Sequence, residues 1–388
     1  MILKIFFWIT VLLILHTYVV YPLILIVFSL FIQKEEIMNS PDTDFNVSVL
    51  MAVHNEELVI KNKIEALFAS DYPFDKFEVL VGSDASDDRT ELILVELKEK
   101  FQKLKVFRFI ERTGKPAIIN YLSDYATGEI LIITDANVMP DHFTVSKLIS
   151  CFRNDQVGLA DSRPLNTGLR KDGISFPEVA YLSFESKLKH IEGRIWGTMM
   201  GPFGGFYAVR KRSYLPNKGD TLADDFRICM NVIKNGEIAV SNPEAVVYED
   251  VPNNILDEFN RKIRISAGNF QNLRHFSFLL LFPFTKWSFS FISHKVLRWF
   301  TPFFWIILII TNLLLLKSSI FYLLFFILQV IFLILPPLDI LLKKAGINLV
   351  PLRFFTHLCF MNAALFAGFL KYLRGIRSGV WTPTKRFQ

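Results

Sequence analysis

The chain has 388 residues, of which 52% are apolar and 21% charged, with a mean hydropathy of +0.34. That composition excludes a disordered protein and is too apolar for an ordinary soluble enzyme of this length. The net charge of +6 is unevenly placed: residues 254–388 hold 16 of the 43 Lys and Arg but only 3 of the 37 Asp and Glu, an excess that suits anionic lipid head groups and leaves no case for nucleic acid.

From Ile5 to Gln33 there are 29 residues without a formal charge. A helix needs ~20 to cross the hydrocarbon core, so this segment is expected to span. A cleaved signal peptide is the alternative, but the run is about twice an ordinary signal core and no small-x-small site precedes Lys34-Glu35-Glu36. Next, Val47 to Val53 is a β-branched and nearly unbroken apolar run, the pattern of a strand buried on both faces of a parallel sheet. His54-Asn55-Glu56-Glu57 and a helical pattern through Phe68 follow. A second strand, Phe77 to Gly82, leads into Ser83-Asp84-Ala85-Ser86-Asp87-Asp88 and a helix starting near Thr90; a third, Lys105 to Ile110, leads through Thr113-Gly114-Lys115-Pro116 into a helix ending near Tyr125. A fourth, Glu129 to Thr134, ends in Asp135-Ala136-Asn137. This is a βαβ series, and in such sheets the ligand sits at the carboxyl ends of the strands.

Those ends carry Glu56, Asp84, Lys115 and Asp135 in turn. Taken singly, Asp84 and Asp135 could be helix N-caps and Lys115 a solvated turn residue. No GxGxxG follows a strand and no Walker A sequence occurs, so the glycine-rich cradle of dinucleotide and P-loop proteins is absent from the sequence. Asp135 and Asn137, one residue apart, have the oxygen donors and spacing to hold a divalent metal against a diphosphate. The three cysteines, Cys151, Cys229 and Cys359, lie too far apart for a CxxC site or a disulfide framework.

Beyond the alternating middle, Phe276 to Arg298 mixes Phe, Leu and Trp with Lys286, Lys295 and Arg298, as expected of a helix lying in the membrane interface or of a core helix. Trp299 to Leu316, Ser318 to Leu338 and Phe354 to Leu370 contain no charged side chain and read as three further spans. Three spans place the C-terminus opposite the soluble middle, whereas Lys371, Arg374, Arg377, Lys385 and Arg386 favour the same cytoplasmic side. Pro336-Pro337 marks the middle segment as the one expected to break or re-enter, because proline interrupts the helical hydrogen-bond ladder.

Taken together, Val49 to Glu57, Val81 to Thr90, Gly114-Lys115 and Thr134 to Asn137 resemble the motifs of membrane-integrated family 2 glycosyltransferases, the group of hyaluronan, chitin, cellulose and poly-N-acetylglucosamine synthases. The resemblance runs over roughly Val47 to Arg386. It implies an α/β catalytic domain of GT-A type, with a Rossmann-like mixed sheet, flanked by N-terminal and C-terminal transmembrane helices. It further implies a nucleotide-sugar donor, a UDP-sugar by preference, a divalent Mg2+ or Mn2+ ion, and inversion at the anomeric carbon. Position by position, Glu56 and Asp84 resemble the uridine-contacting residues, Lys115 the basic residue beside the nucleotide, and Asp135 the first acid of a DxD motif. Asn137 replaces the usual second Asp, offering an amide oxygen without charge. Gly204 to Arg210 resembles a glycine-containing acceptor segment, or forms a tight turn between strands.

In Leu222-Ala223-Asp224-Asp225 the second acid resembles the general base, which makes Asp225 the expected catalytic residue; N-capping is the other use of such a pair. Arg261-Lys262-Ile263-Arg264-Ile265 lies where processive members carry a Gln/Arg motif ending in Trp. Arg264 fits a role in neutralising the leaving diphosphate and Ile265 departs from the pattern, while Arg261 and Lys262 also suit anionic lipid. Trp381 to Arg386 resembles a gating segment that folds over bound nucleotide, or is a basic tail.

The expected organisation is a transmembrane helix at 1–33, a GT-A domain at 34–253, interfacial amphipathic helices at 254–298, transmembrane helices at 299–373 and a basic tail or gating segment at 374–388. The expected activity is inverting transfer of a sugar to a growing exopolysaccharide by a multi-pass protein of the bacterial cytoplasmic membrane, with the catalytic domain on the cytoplasmic side. Two rival activities remain: transfer of a single sugar to a polyprenyl phosphate or glycolipid, and a catalytically silent subunit of an export complex.

Overall fold

Apolar residues at the N-terminus wind into α1 (Ile2–Leu15) and α2 (Tyr21–Ser29), joined through a π-helical turn at His16–Val20 just ahead of Pro22, which has no N–H to donate. The computed structural model describes residues 1–32, 45–169, 173–251, 253–281, 284–376 and 378–380. By contacts the chain falls into two units. Met1–Val27, Leu169–Phe184 and Val251–Gly375 form one; Phe28–Gly168, Glu185–Asp250 and the described residues from Ile376 onward form the other.

The second unit is built on one eight-stranded mixed sheet of order β3-β2-β1-β4-β7-β6-β8-β5. In chain order its elements are β1 (Val47–Val53), α3 (Ile60–Phe68), β2 (Phe77–Asp84), α4 (Thr90–Lys100), β3 (Leu104–Phe109), α5 (Lys115–Tyr125), β4 (Ile130–Thr134), β5 (Met139–Pro140), α6 (Thr144–Ser150), β6 (Val157–Thr167), α7 (Ser175–Trp196), β7 (Phe206–Arg210), α8 (Asp224–Lys234) and β8 (Ile238–Asp250). The first four strands are mutually parallel, and β7 then pairs antiparallel with β4, which turns a doubly wound start into the mixed sheet of a GT-A domain. Every residue of β1 is buried. Val47, Val49, Met51 and Val53 join one core with Ile60 and Ile64 of α3 and Leu94 of α4. Each such side chain contributes ~1.5–3 kcal/mol relative to its exposed state. The strand ends are therefore rigid mounts for whatever follows them.

The other unit continues with α9 (Ile255–His275), the short pieces α10 (Lys286–Ser290) and α11 (Leu297–Trp299) joined by a π-helical stretch, α12 (Thr301–Leu315), α13 (Ile320–Lys344) and α14 (Val350–Leu373). Among the described residues four helices are long and apolar enough to cross a membrane: Ile2–Ser29, Thr301–Ser318, Ile320–Lys344 and Val350–Leu373. Close approach of α14 to α9 needs Gly368, where a Cβ would lie 2.3 Å from that of Ser266; Ser266 Oγ donates to the Leu365 carbonyl at 2.8 Å.

Two expectations change here. The helix does not break at Pro336-Pro337: α13 runs through both prolines, its other backbone bonds and its neighbours α12 and α14 sustaining it. The helices also extend past the uncharged windows, so α13 carries Asp339 and α14 carries Arg353 and His357. All three are buried; Thr356 Oγ1 donates to Asp339 at 2.8 Å, and Arg353 lies 3.9 Å from the same carboxylate.

Candidate active site

The site grows from the carboxyl ends of β1, β2 and β4. Beyond β1 and β2 the chain turns through left-handed residues, Asn55 at φ 55° and Ala85 at φ 53°. The two loops then hold each other. The Asn55 N–H donates to Ser86 Oγ at 3.2 Å, the Asp87 N–H to Asn55 Oδ1 at 3.0 Å, and the Glu56 N–H to Thr90 Oγ1 at 2.8 Å. His54 Nδ1 donates to the Asp84 carbonyl at 2.9 Å. Glu56 is half-buried within this double loop.

Asp84 is fully buried and caps no helix. Its carboxylate accepts from Arg112 Nε at 3.1 Å and from the backbone N–H groups of Thr113, at 2.5 Å, and Gly114, at 3.2 Å. It thereby shapes the turn that delivers Lys115. Gly114 is needed there for its φ of 88°.

Lys115 is no solvated turn residue. It is the first residue of α5, and its Nζ lies 2.6 Å from Asp135 Oδ1. Burial alone would lower this ammonium, but Asp135, Asp224 and Asp225 outweigh burial and hold it well above the ordinary lysine value. Four charged groups from three loops thus act on one another at one place.

Asp135 begins a turn rather than capping a helix, and its N–H donates to the Gly205 carbonyl at 3.0 Å. Asn137 Nδ2 donates to Glu249 Oε1 at 3.2 Å, which turns the amide oxygen toward other partners. No group of three His, Cys, Asp or Glu side chains poised for a metal occurs among the described residues. Asp135 and Asn137 supply oxygen donors of the hard kind that suits Mg2+ or Mn2+, with the remaining positions left for diphosphate oxygens and water. The residues fit such an ion.

Asp224 and Asp225 open α8, whose cap position, Ala223, has no side-chain acceptor. Asp224 is buried and Asp225 half-buried. Burial first, and Asp224 next, raise the Asp225 carboxyl above its ordinary range, against the opposing pull of Lys115, the Phe226 N–H bond and Lys189. A Cβ at Gly204 would sit 2.2 Å from Asp225 Oδ2, and Gly204 has φ 89°, so only glycine fits beneath this carboxylate.

Several participants carry no sequence signal of their own. Asp161 on β6 accepts from the Phe203 N–H at 2.7 Å, and Lys189 Nζ donates to the Pro202 carbonyl at 3.1 Å, so both brace the segment that backs Asp225. Burial pushes the Asp161 carboxyl up to about 7. Tyr207, opposite Asp161 in the β6–β7 ladder, has a buried hydroxyl without a hydrogen-bond partner among the described residues, and burial together with Asp224, Asp225, Tyr214 and Asp135 raises its pKa well above the usual value. Lys63 of α3 lies behind the Asp135 turn, where burial pushes its ammonium down to about 7.

Arg264 is half-buried on α9, in the unit of the membrane helices. Arg261 and Lys262 of the same cluster are engaged by glutamates: Arg261 Nε lies 2.9 Å from Glu258, and Lys262 Nζ 3.0 Å from Glu178 and 3.2 Å from Glu258. Trp381 lies outside the described residues. The residues just before it rest against the catalytic unit: the Gly379 N–H donates to the Gly219 carbonyl at 3.0 Å, and a Cβ at Gly114 would lie 3.2 Å from Val380 N.

Comparison with known proteins bears on this arrangement. Residues 48–215 match Glycosyl transferase family 2, and residues 195–370 match Glycosyl transferase family group 2. Beta-monoglucosyldiacylglycerol synthase of Trichormus variabilis is 29% identical over 185 residues, which cover 46% of this chain and 39% of that protein. A Methanococcus voltae enzyme, dolichyl N-acetyl-alpha-D-glucosaminyl phosphate 3-beta-D-2,3-diacetamido-2,3-dideoxy-beta-D-glucuronosyltransferase, is 22% identical over 253 residues, 61% of this chain and 78% of that one. The mannosyltransferase PcManGT of Pyrobaculum calidifontis, solved with GDP-Man and Mn2+, superposes with a TM-score of 0.70 at 20% identity, covering 95% of this chain and 99% of that chain, and so shares its fold. The chain spans less than half the length of the Trichormus variabilis relative. With matches to its models along both halves, over residues 48–215 and 195–370, the chain belongs to glycosyl transferase family 2.

Proposed function

We propose that the protein transfers one sugar, with inversion, from a nucleoside diphosphate sugar to the hydroxyl of a lipid-linked acceptor at the membrane. The observation that carries the transferase reading is the meeting of Lys115, Asp135, Asp224 and Asp225, three carboxylates and one ammonium drawn from separate loops. A sugar or lipid hydroxyl titrates far above neutrality, so its attack on the anomeric carbon is aided by a carboxylate that takes the proton as the bond forms. Asp225 has the exposure and the raised pKa for that task. The leaving diphosphate needs no proton if cations absorb its charge. Lys115 supplies one, and a divalent ion held through Asp135 and Asn137 would supply electrostatic stabilisation beside it. A single displacement with one base inverts the anomeric configuration. No second carboxylate opposite the first is required, in contrast to a glycosidase.

The lipid-linked acceptor is supported by the four apolar helices, by Ile265 where processive members carry tryptophan, and by relatives named for glycosyldiacylglycerol synthesis and for a dolichyl-phosphate-linked sugar. A UDP-sugar remains the first donor to test, with GDP-mannose beside it because the structural neighbour holds that donor. The test is purified protein in detergent with labelled nucleotide sugars, with and without Mn2+, offered lipid and oligosaccharide acceptors. One labelled sugar per lipid acceptor is the expected product. A ladder of long saccharides would establish polymer extension in its place, and nucleotide binding without transfer would establish a silent subunit.

A further inference from the structure

Lys63 is completely buried on α3, and among the described residues no carboxylate lies within ion-pair distance of it. An ammonium removed from water without a counter-charge is costly, and an aliphatic side chain would fill the same space at less expense. Its bonds show where the amino group is used. Nζ donates to Thr134 Oγ1 at 2.8 Å and to the Val138 carbonyl, and it stands 5.0 Å from the centroid of the Phe206 ring. Thr134 and Val138 are the residues that immediately flank Asp135-Ala136-Asn137. The same Thr134 hydroxyl bonds the Gly205 carbonyl at 2.9 Å, which also receives the Asp135 N–H. One amino group therefore staples both ends of the turn that carries Asp135 and Asn137, and through Thr134 ties that turn to the segment beneath Asp225.

The geometry points to Lys63 as a positioning residue that preorganises the Asp135–Asn137 turn for a metal-bound diphosphate. This rests on reading that turn as the metal and diphosphate site. It carries particular weight because Asn137 brings no charge: with one anionic ligand in place of two, affinity depends on the donors already standing in place. The lysine touches neither ion nor substrate. Its effect passes entirely through the turn.

The test is calorimetric titration of UDP and of GDP, each with and without Mn2+, into the full-length detergent-solubilised protein and its Lys63→Met, Thr134→Val and Asp135→Ala variants. In Lys63→Met the Kd measured with Mn2+ is expected to rise ~10–100-fold, the usual penalty for losing support behind a metal ligand, while the metal-free Kd stays within about threefold. A role limited to folding would lower the melting temperature and leave the gain in affinity from Mn2+ intact, and that result in a folded Lys63→Met protein overturns the proposal. Should Lys63→Met fail to fold, Thr134→Val decides, since it removes one of the two acceptors while keeping the shape: a smaller loss of the same Mn2+-dependent kind supports the clamp, and wild-type titrations overturn it. If Asp135→Ala also binds as wild type does with Mn2+, the reading of the turn as a metal site fails first and the clamp falls with it.

Discussion

At the strand-end rim one ammonium, Lys115, faces three carboxylates, Asp135, Asp224 and Asp225, and the Lys115 and Asp135 side chains keep 20% and 39% of their exposure. On α9 two cations, Arg261 and Lys262, face two glutamates, Glu178 and Glu258, both with fully buried side chains, and His357 adds a 2.7 Å contact to Glu178. The first cluster carries an excess of carboxylates; in the second the carboxylates are fully buried and matched by cations whose side chains keep 26% and 18% of their exposure. A buried, matched set of charges ties helices together and has little left to offer a ligand, whereas a half-open excess of carboxylates calls for an incoming cation and anion to complete it. Charge imbalance, more than the presence of charged residues, separates the candidate site from the structural joint.

That contrast can be broken at either end. The largest effect is expected for Asp225→Asn, which keeps size and removes basicity: turnover should fall ~10² to 10⁴-fold while calorimetry finds donor binding little changed. Full turnover in this variant would remove Asp225 from the role. At the α9 cluster, Lys262, His357 and Arg261 hold the Glu178 carboxyl far below its usual range despite the opposing effect of burial. Glu178→Gln leaves Arg261 and Lys262 with Glu258 alone and His357 without its carboxylate, and should cost ~1–3 kcal/mol of stability, read as a lowered denaturation midpoint, with turnover per folded molecule unchanged. An unchanged midpoint together with reduced turnover would move that cluster into the catalytic machinery. The smallest effect sharpens the rim itself. Ala85 holds a left-handed conformation that costs a Cβ-bearing residue ~1–2 kcal/mol, so Ala85→Gly should stabilise the protein by about 1 kcal/mol; a loss of stability would show that the methyl group packs usefully.

Much of the rim was legible because its signals are local. A β-branched run such as Val47 to Val53 can be little but a buried strand, and the polar residues that follow the strands, Asp84, Lys115 and Asp135, were expected to share one rim, where Lys115 and Asp135 do meet. The unread parts depend on contacts distant in sequence. Lys63 reaches Thr134 across 71 positions, Asp161 reaches the Phe203 amide across 42, and Glu178 meets Lys262 across 84. Glu258, three and four residues before Arg261 and Lys262, did lie within helical reach in the sequence and could have shown that those cations were engaged. The unbroken α13 was missed for a different reason: two prolines weaken a helix locally, but flanking turns and neighbouring helices decide whether it continues.

The account's central claim is that Lys115 and Asp225, 110 positions apart, act in one site. Because Asp225 is raised by its burial and by Asp224, the acidic limb of the wild-type pH–activity profile should lie above the ordinary aspartate value of ~3.9, with activity lost as pH falls and the base takes up its proton. Lys115 opposes that rise, so Lys115→Met should leave the carboxylate less stable and shift the same limb upward, even as overall activity drops. The pH profile of Lys115→Met against wild type is therefore the measurement to make. An upward shift is the predicted result, and a limb that stays where it was would contradict the convergence of these residues.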